Sequence, residues 1–190
     1  MVAQILEFLV DSASGFLAFL LLARFHFQWL RVSFRNQLGE FVIALTNWIV
    51  VPARRVMPGV AGFDLPTLIV AWVLQAATLA IVYMIRGYDF GNATGAVVAV
   101  LFGLALVDLV RFSLYLLIFA LIVQAVLSWT NPDSPIGSTF DAMVRPFLRP
   151  LRRFVPPISN IDLSPLVLLV LLQVILIPLA YARTLVAGQF

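Results

Sequence analysis

A seven-residue phrase occurs twice in this chain, and that repeat constrains the fold more than any other feature. Pro52-Ala53-Arg54-Arg55-Val56-Met57-Pro58 is followed six residues on by Asp64-Leu65. It returns as Pro150-Leu151-Arg152-Arg153-Phe154-Val155-Pro156, followed six residues on by Asp162-Leu163. Each copy runs into a long apolar segment with a glutamine at the same place, Gln75 and Gln173. A period this long divides the chain into two units of one design. We read residues 1–85 as the first repeat, 86–95 as a short connector and 96–190 as the second repeat.

The design is a membrane one. Hydrophobic residues make up 63% of the chain and charged residues 11%, where a soluble domain carries about 25% charged. A water-soluble fold of this size cannot hide so much apolar surface. A helix crossing the hydrocarbon core needs about 20 apolar residues, and four segments qualify: 12–30, 65–85, 112–129 and 163–182. The predicted fold is therefore all-α, two tandem two-span repeats with amphipathic interfacial helices in the connectors. Glu7 and Asp11 interrupt the first apolar stretch, which argues against a removable signal peptide. With no cysteine there is no disulfide framework and no thiolate metal site. The net charge of +3 rests on twelve arginines against nine acids, too small a balance to imply a nucleic-acid partner.

Orientation follows from the arginines. Arg31, Arg35, Arg54 and Arg55 lie after the first span, and Arg145, Arg149, Arg152 and Arg153 after the third. The middle connector has only Arg86, offset by Asp89, and the tail only Arg183. Positive residues stay cytoplasmic, so both long connectors are expected in the cytoplasm and both termini outside. Two spans per repeat, an even number, relate the halves by an axis along the membrane normal.

The apolar stretches 2–10 and 96–107 precede the first and third spans and end at Asp11 and Asp108. A single helix from Ala96 to Trp129 would measure about 51 Å, so these stretches are expected to lie along, or dip into, the outer interface. Asp108 and Arg111, one helical turn apart, would pair there. Two readings remain open for them, an interfacial ion pair and the entrance of a polar pathway.

In the second connector Phe140, Met143, Val144, Phe147, Leu148 and Leu151 form an apolar stripe, with Asp141, Arg145, Arg149 and Arg152 opposite. Such a segment lies in the interface with its arginines among anionic head groups. Pro146 and Pro150 each remove a backbone donor, so two or three short helical pieces are expected. The first connector is more apolar, with Phe41, Leu45, Trp48 and Ile49 on one side and a weak polar face, which suggests deeper burial or packing against the rest of the protein. Three roles stay open for the connectors: covering the helix ends, binding lipid head groups, or docking another membrane protein. In the Pro-x-Arg-Arg-x-x-Pro phrase, Pro52 with Pro58 and Pro150 with Pro156 would hold a stiff turn that aims the paired guanidiniums. Asp64 and Asp162 are candidate helix caps. They either pin the arginine pairs or leave them free for an anionic ligand or partner.

Within the spans, Gln75 and Gln173 fall about 16 Å beyond the two aspartates, near mid-bilayer. Near a shared axis they would hydrogen-bond each other, or line a polar path with Gln124. Arg24, His26 and Gln28 cluster at the inner end of span one before Trp29, and Gln124 and Trp129 stand at the matching spacing in repeat two. A lone His26 makes no metal or bis-histidine haem site. The chain carries no Ser-His-Asp set, no glycine-rich phosphate loop and no close carboxylate pair. Neither an enzyme nor a cofactor is expected.

These residues resemble the YggT (YlmG-like) family of integral membrane proteins. The second copy follows that pattern throughout: Ser128-Trp129, Asn131-Pro132, Pro150 to Pro156, and Ile161-Asp162-Leu163-Ser164-Pro165. The first keeps Gln28-Trp29, Pro52 to Pro58 and Asp64, but departs at Phe63 and Pro66-Thr67 and lacks Asn-Pro. The resemblance implies a non-enzymatic inner-membrane or thylakoid protein, here one of the bacterial inner (cytoplasmic) membrane. It links the chain to osmotic-stress tolerance in bacteria, cytochrome b6f haem maturation in plastids, and division or nucleoid partitioning. Assembly or organisation of membrane components reconciles most of these, with anionic lipid head groups and another membrane protein, or a second copy, as partners. A small ion channel with a Gln-lined path fits the osmotic role alone.

Overall fold

The computed structural model describes residues 1–57, 59, 63–88, 90, 94–131, 133–155 and 162–187. Pro58, Pro132, Pro156 and Ile161 of the repeated motifs, and Asp89 of the middle connector, lie outside the described residues. Six helices follow in order: α1 (Val2–Trp29), α2 (Gln37–Val56), α3 (Leu65–Ile85), α4 (Thr94–Thr130), α5 (Pro135–Phe154) and α6 (Ser164–Ala187). Four of them, α1, α3, α4 and α6, are long and apolar enough to cross a membrane. The protein is an all-helical membrane protein in which two long-helix, connector-helix, span units succeed each other.

The helix ends follow local chemistry. The Asn36 side chain accepts the Gly39 N–H at 2.8 Å to start α2, and Ser134 accepts the Gly137 N–H at 3.5 Å to start α5. These caps satisfy backbone donors that a first helical turn leaves free. Pro66 and Pro135 occupy first-turn positions, where a missing N–H costs nothing. α3 stops at Gly87, whose φ of 88° closes the turn with the Tyr88 N–H on the Tyr83 carbonyl. α1 stops in the same way, with Arg31 at a φ of 54° and the Val32 N–H on the Phe27 carbonyl.

α4 is the hub, packing against α1, α3, α5 and α6. The main core joins Leu20, Leu21, Leu22 and Phe27 of α1 to Leu109, Leu116 and Leu121 of α4 and to the buried face of α5. A smaller cluster joins Ala76 and Leu79 of α3 to Leu101, Leu104 and Ala105 of α4. The Trp72 indole N–H donates to the Phe102 carbonyl at 2.9 Å across that same contact. The repeats are unequally covered. Ala76 and Leu79 are buried, whereas Val174 and Ile177, ninety-eight positions on in α6, are exposed.

Three expectations are corrected. The stretch 96–107 is not a separate interfacial segment but the first third of one unbroken helix, and 2–10 likewise opens α1. At about 55 Å, α4 exceeds the hydrocarbon thickness, and its leading part is used to cover α3. Second, α5 is one helix through Pro146 and Pro150. Tertiary burial of Phe140, Met143, Val144 and Leu148 offsets two missing backbone bonds. Third, that apolar stripe faces the protein's own core rather than lipid. α2 is the reverse case: it packs through Val42, Thr46 and Val50 and leaves Phe41, Leu45 and Trp48 exposed.

The capping glycines are not equivalent. A Cβ on Gly39 would lie 2.5 Å from the Phe34 carbonyl oxygen and 2.6 Å from its Cα, while one on Gly137 meets nothing nearer than 3.6 Å. Gly39→Ala is expected to cost roughly 1–3 kcal/mol, read as a lowered thermal midpoint in detergent. Gly137→Ala should be near neutral, and equal effects would contradict this packing.

Candidate functional site

The repeated arginine pairs sit in the last turns of α2 and α5, where cations complement the helix dipole. Pro52 and Pro150 are helical residues rather than one side of a stiff turn. In each pair one arginine is tied down. Arg54 Nε donates to Asp64 Oδ1 at 3.2 Å and Nη2 to Oδ2 at 2.5 Å, a bidentate pairing. Arg54 Nη2 also reaches Gln28 Oε1 at 3.2 Å. In repeat two, Arg152 Nε donates to Asp162 Oδ2 at 2.8 Å. Arg55 and Arg153 are exposed and make no ion pair or hydrogen bond among the described residues.

The two aspartates differ. Asp64 precedes α3 but makes no side-chain cap bond, because its carboxylate accepts from Arg54 and from the Thr67 hydroxyl at 2.5 Å. Its side chain is only 1% exposed. Burial pushes the Asp64 carboxyl up, and the Arg54 and Thr67 hydrogen bonds outweigh it, leaving the group below its ordinary value. Asp162, two residues before α6, does reach the helix start: its Oδ1 accepts the Ser164 N–H at 2.9 Å, and its side chain is 39% exposed. Burial again raises it, and the Ser164 and Arg152 bonds bring it below the usual range.

Along α5, Arg145 is paired with Asp141 one turn earlier. Arg149 is exposed and, among the described residues, without a partner. The outward face of α5 therefore ends in two uncommitted guanidiniums, Arg149 and Arg153, beside the committed Arg152.

Beneath Arg152 a cavity of about 420 Å³ opens between α4 and α6. Leu121, Leu163, Leu166 and Leu169 wall it, with Arg152, Asp162 and Trp129 among its lining. Repeat one has no matching opening among its described cavities. There Arg24 is buried and donates from Nη1 to Thr46 Oγ1 at 2.8 Å and Asn47 Oδ1 at 2.9 Å, binding α1 to α2. The positions matching Thr46 and Asn47 in α5 are Val144 and Arg145, which offer no acceptor. Gln124, standing where Arg24 would, lines the cavity with its Oε1 buried and unbonded. The Arg24 network escaped the sequence reading, although an arginine inside a span demands a partner, and Thr46-Asn47 is the only neighbouring uncharged polar pair in α2.

The intramembrane glutamines do not meet. Gln75 is buried, with its Nε2 unpartnered, while Gln173 is on the exposed face of α6. Gln124 lines the α4–α6 cavity instead. The expected Gln75–Gln173 hydrogen bond is absent because α6 packs on α4 and α5 and turns Gln173 outward.

Against known proteins, the CCB3/YggT family model matches residues 3–85 and 103–182. The chain belongs to the CCB3/YggT family. It is 30% identical over 171 residues to the "Uncharacterized protein YggT" of Escherichia coli K12, covering 90% of this chain and 86% of that protein. A Vibrio alginolyticus protein is 30% identical over 169 residues, covering 88% and 89%. One from Pseudomonas aeruginosa is 29% identical over 170 residues, covering 88% and 84%. No solved structure matches.

The asymmetry between the aspartates is testable. A carboxyl whose native value is depressed contributes stability above its ordinary pKa near 3.8, and loses it as pH falls through the native value. Asp64→Asn should cost about 2 kcal/mol at neutral pH and flatten the acid dependence of the thermal midpoint below about pH 4. Asp162→Asn, half in solvent, should do much less of either.

Proposed function

We propose that this protein organises membrane components without catalysis, holding anionic phospholipid at the cytoplasmic face of a bacterial inner membrane. In this reading α2 and α5 lie on the cytoplasmic side and both termini outside. The observation that carries it is the pair of free, exposed guanidiniums, Arg149 and Arg153, next to an apolar-walled cavity with Arg152 among its lining. Phosphate needs a planar donor fork and an acyl chain needs an apolar slot. The end of α5 offers both side by side. The exposed apolar side of α2, with Trp48, suits the same interfacial depth.

Head-group capture of this kind gives a surface on which a client membrane protein is gathered. That is an assembly role, and it accords with the envelope and osmotic-stress tolerance that the family resemblance implies. No observation favours conduction along Gln75, Gln124 and Gln173, which occupy three separate places.

Arg152 is committed to Asp162, so the informative variant is Arg149→Ala with Arg153→Ala. Each arginine near an anionic surface contributes about 1 kcal/mol. The double variant should therefore hold phosphatidylglycerol roughly thirtyfold more weakly, measured by native mass spectrometry, and lose crosslinked client and osmotic tolerance while remaining inserted. Undiminished lipid retention and growth in that variant would overturn the proposal.

A further inference from the structure

A second polar site lies at the far end of the bundle. Asp11 and Asp108 stand about 27 and 32 Å along their helices from Trp29 and Trp129, and Arg183 about 29 Å beyond Ser164. There α1, α3, α4 and α6 enclose a cavity of about 220 Å³. Asp108 Oδ1 accepts from Arg111 Nη1 at 3.2 Å and from Arg183 Nε at 2.9 Å. One carboxylate holds two guanidiniums, so this end is positive by one charge, which Asp11 at the mouth balances across the cavity. At the exposed mouth, the Asp11 carboxylate makes no hydrogen bond or salt bridge among the described residues, with Arg183 and Arg86 as its nearby cations.

The cavity is short of acceptors. Gln75 lines it, is 5% exposed, and has its Nε2 buried without a partner. Arg111, also in the lining, has its Nε buried and unpartnered. A buried donor left unbonded costs about 1–3 kcal/mol, and two in one cavity call for an acceptor between them. The positive end around Arg111 asks for a single negative charge, and the Asp11 end for a positive one. A dianion would overshoot that charge and meet Asp11. At about 30 Å³ per water, the space holds some seven waters or one small solute.

We infer that this cavity binds a small zwitterion carrying a carboxylate, of the amino-acid kind. The carboxylate takes the free donors of Gln75 and Arg111, and the ammonium faces Asp11 at the mouth. The site is independent of the α5 surface and stands whether or not the lipid reading does.

Equilibrium dialysis on the purified full chain in detergent tests it, with radiolabelled glycine, acetate and methylammonium as probes. Glycine should bind saturably at one per chain, acetate about tenfold more weakly, and methylammonium not at all. Gln75→Leu, which adds no polar burden to the span, should abolish glycine binding. Asp11→Asn should bring glycine down to the level of acetate. Arg149→Ala with Arg153→Ala should bind glycine as the wild type does, separating this site from the lipid surface. A cavity that holds only water gives no saturable glycine binding, and that result overturns the inference. So does binding unchanged in Gln75→Leu, or acetate bound as tightly as glycine.

Discussion

Lipid supplies no hydrogen bonds, and nearly every feature of this fold answers that constraint. Backbone donors and acceptors inside the bilayer must be satisfied within the chain, which leaves helices as the spanning element here. Charged side chains face the same demand and meet it by crossing between helices. Arg24 of α1 is held by Thr46 and Asn47 of α2. Arg54 of α2 is held by Asp64 at the head of α3. Asp108 of α4 is held by Arg183 of α6 as well as by its neighbour Arg111. These polar ties hold the bundle together at both ends, with the apolar core between them.

The two repeats use one plan to different ends. In the first, buried Arg24 and Asp64 close the junction of α1, α2 and α3. In the second, Gln124 and the half-exposed Asp162 leave the corresponding region open as an apolar-walled cavity. Side-chain exchanges at a few positions, Arg24 against Gln124, Thr46 against Val144 and Asn47 against Arg145, remove in the second repeat the polar tie that joins α1 to α2 in the first. The same division appears on the outside. α5 turns arginines outward and α2 turns Phe41, Leu45 and Trp48 outward.

Much of this was legible beforehand, for reasons of period and length. Twenty-residue apolar runs bounded by Pro and Asp mark helices whatever they pack against, and α3 runs from Leu65 to Ile85 as expected. Asp108 and Arg111 pair because three residues is one turn, a purely local fact. Other expectations failed where a distant partner decided the outcome. Pro146 and Pro150 argue locally for a broken α5, yet the burial of Met143, Val144 and Leu148 holds it whole. Gln75 and Gln173 occupy equal depths by counting, but counting along a helix says nothing of which way each helix is turned.

The sequence by itself determined the all-helical membrane class, the duplicated order of helices and the location of the charges along them. Those depend on composition and short-range periodicity, which a chain carries unfolded as well as folded. Tertiary structure alone decided which arginine of each pair is free, why Arg183 joins Asp108 across seventy-five residues of chain, and where cavities open. Each of those depends on the rotation of one helix against another. That rotation is set by the fit of Leu, Val and Phe side chains across the whole bundle, and no local stretch of sequence encodes it.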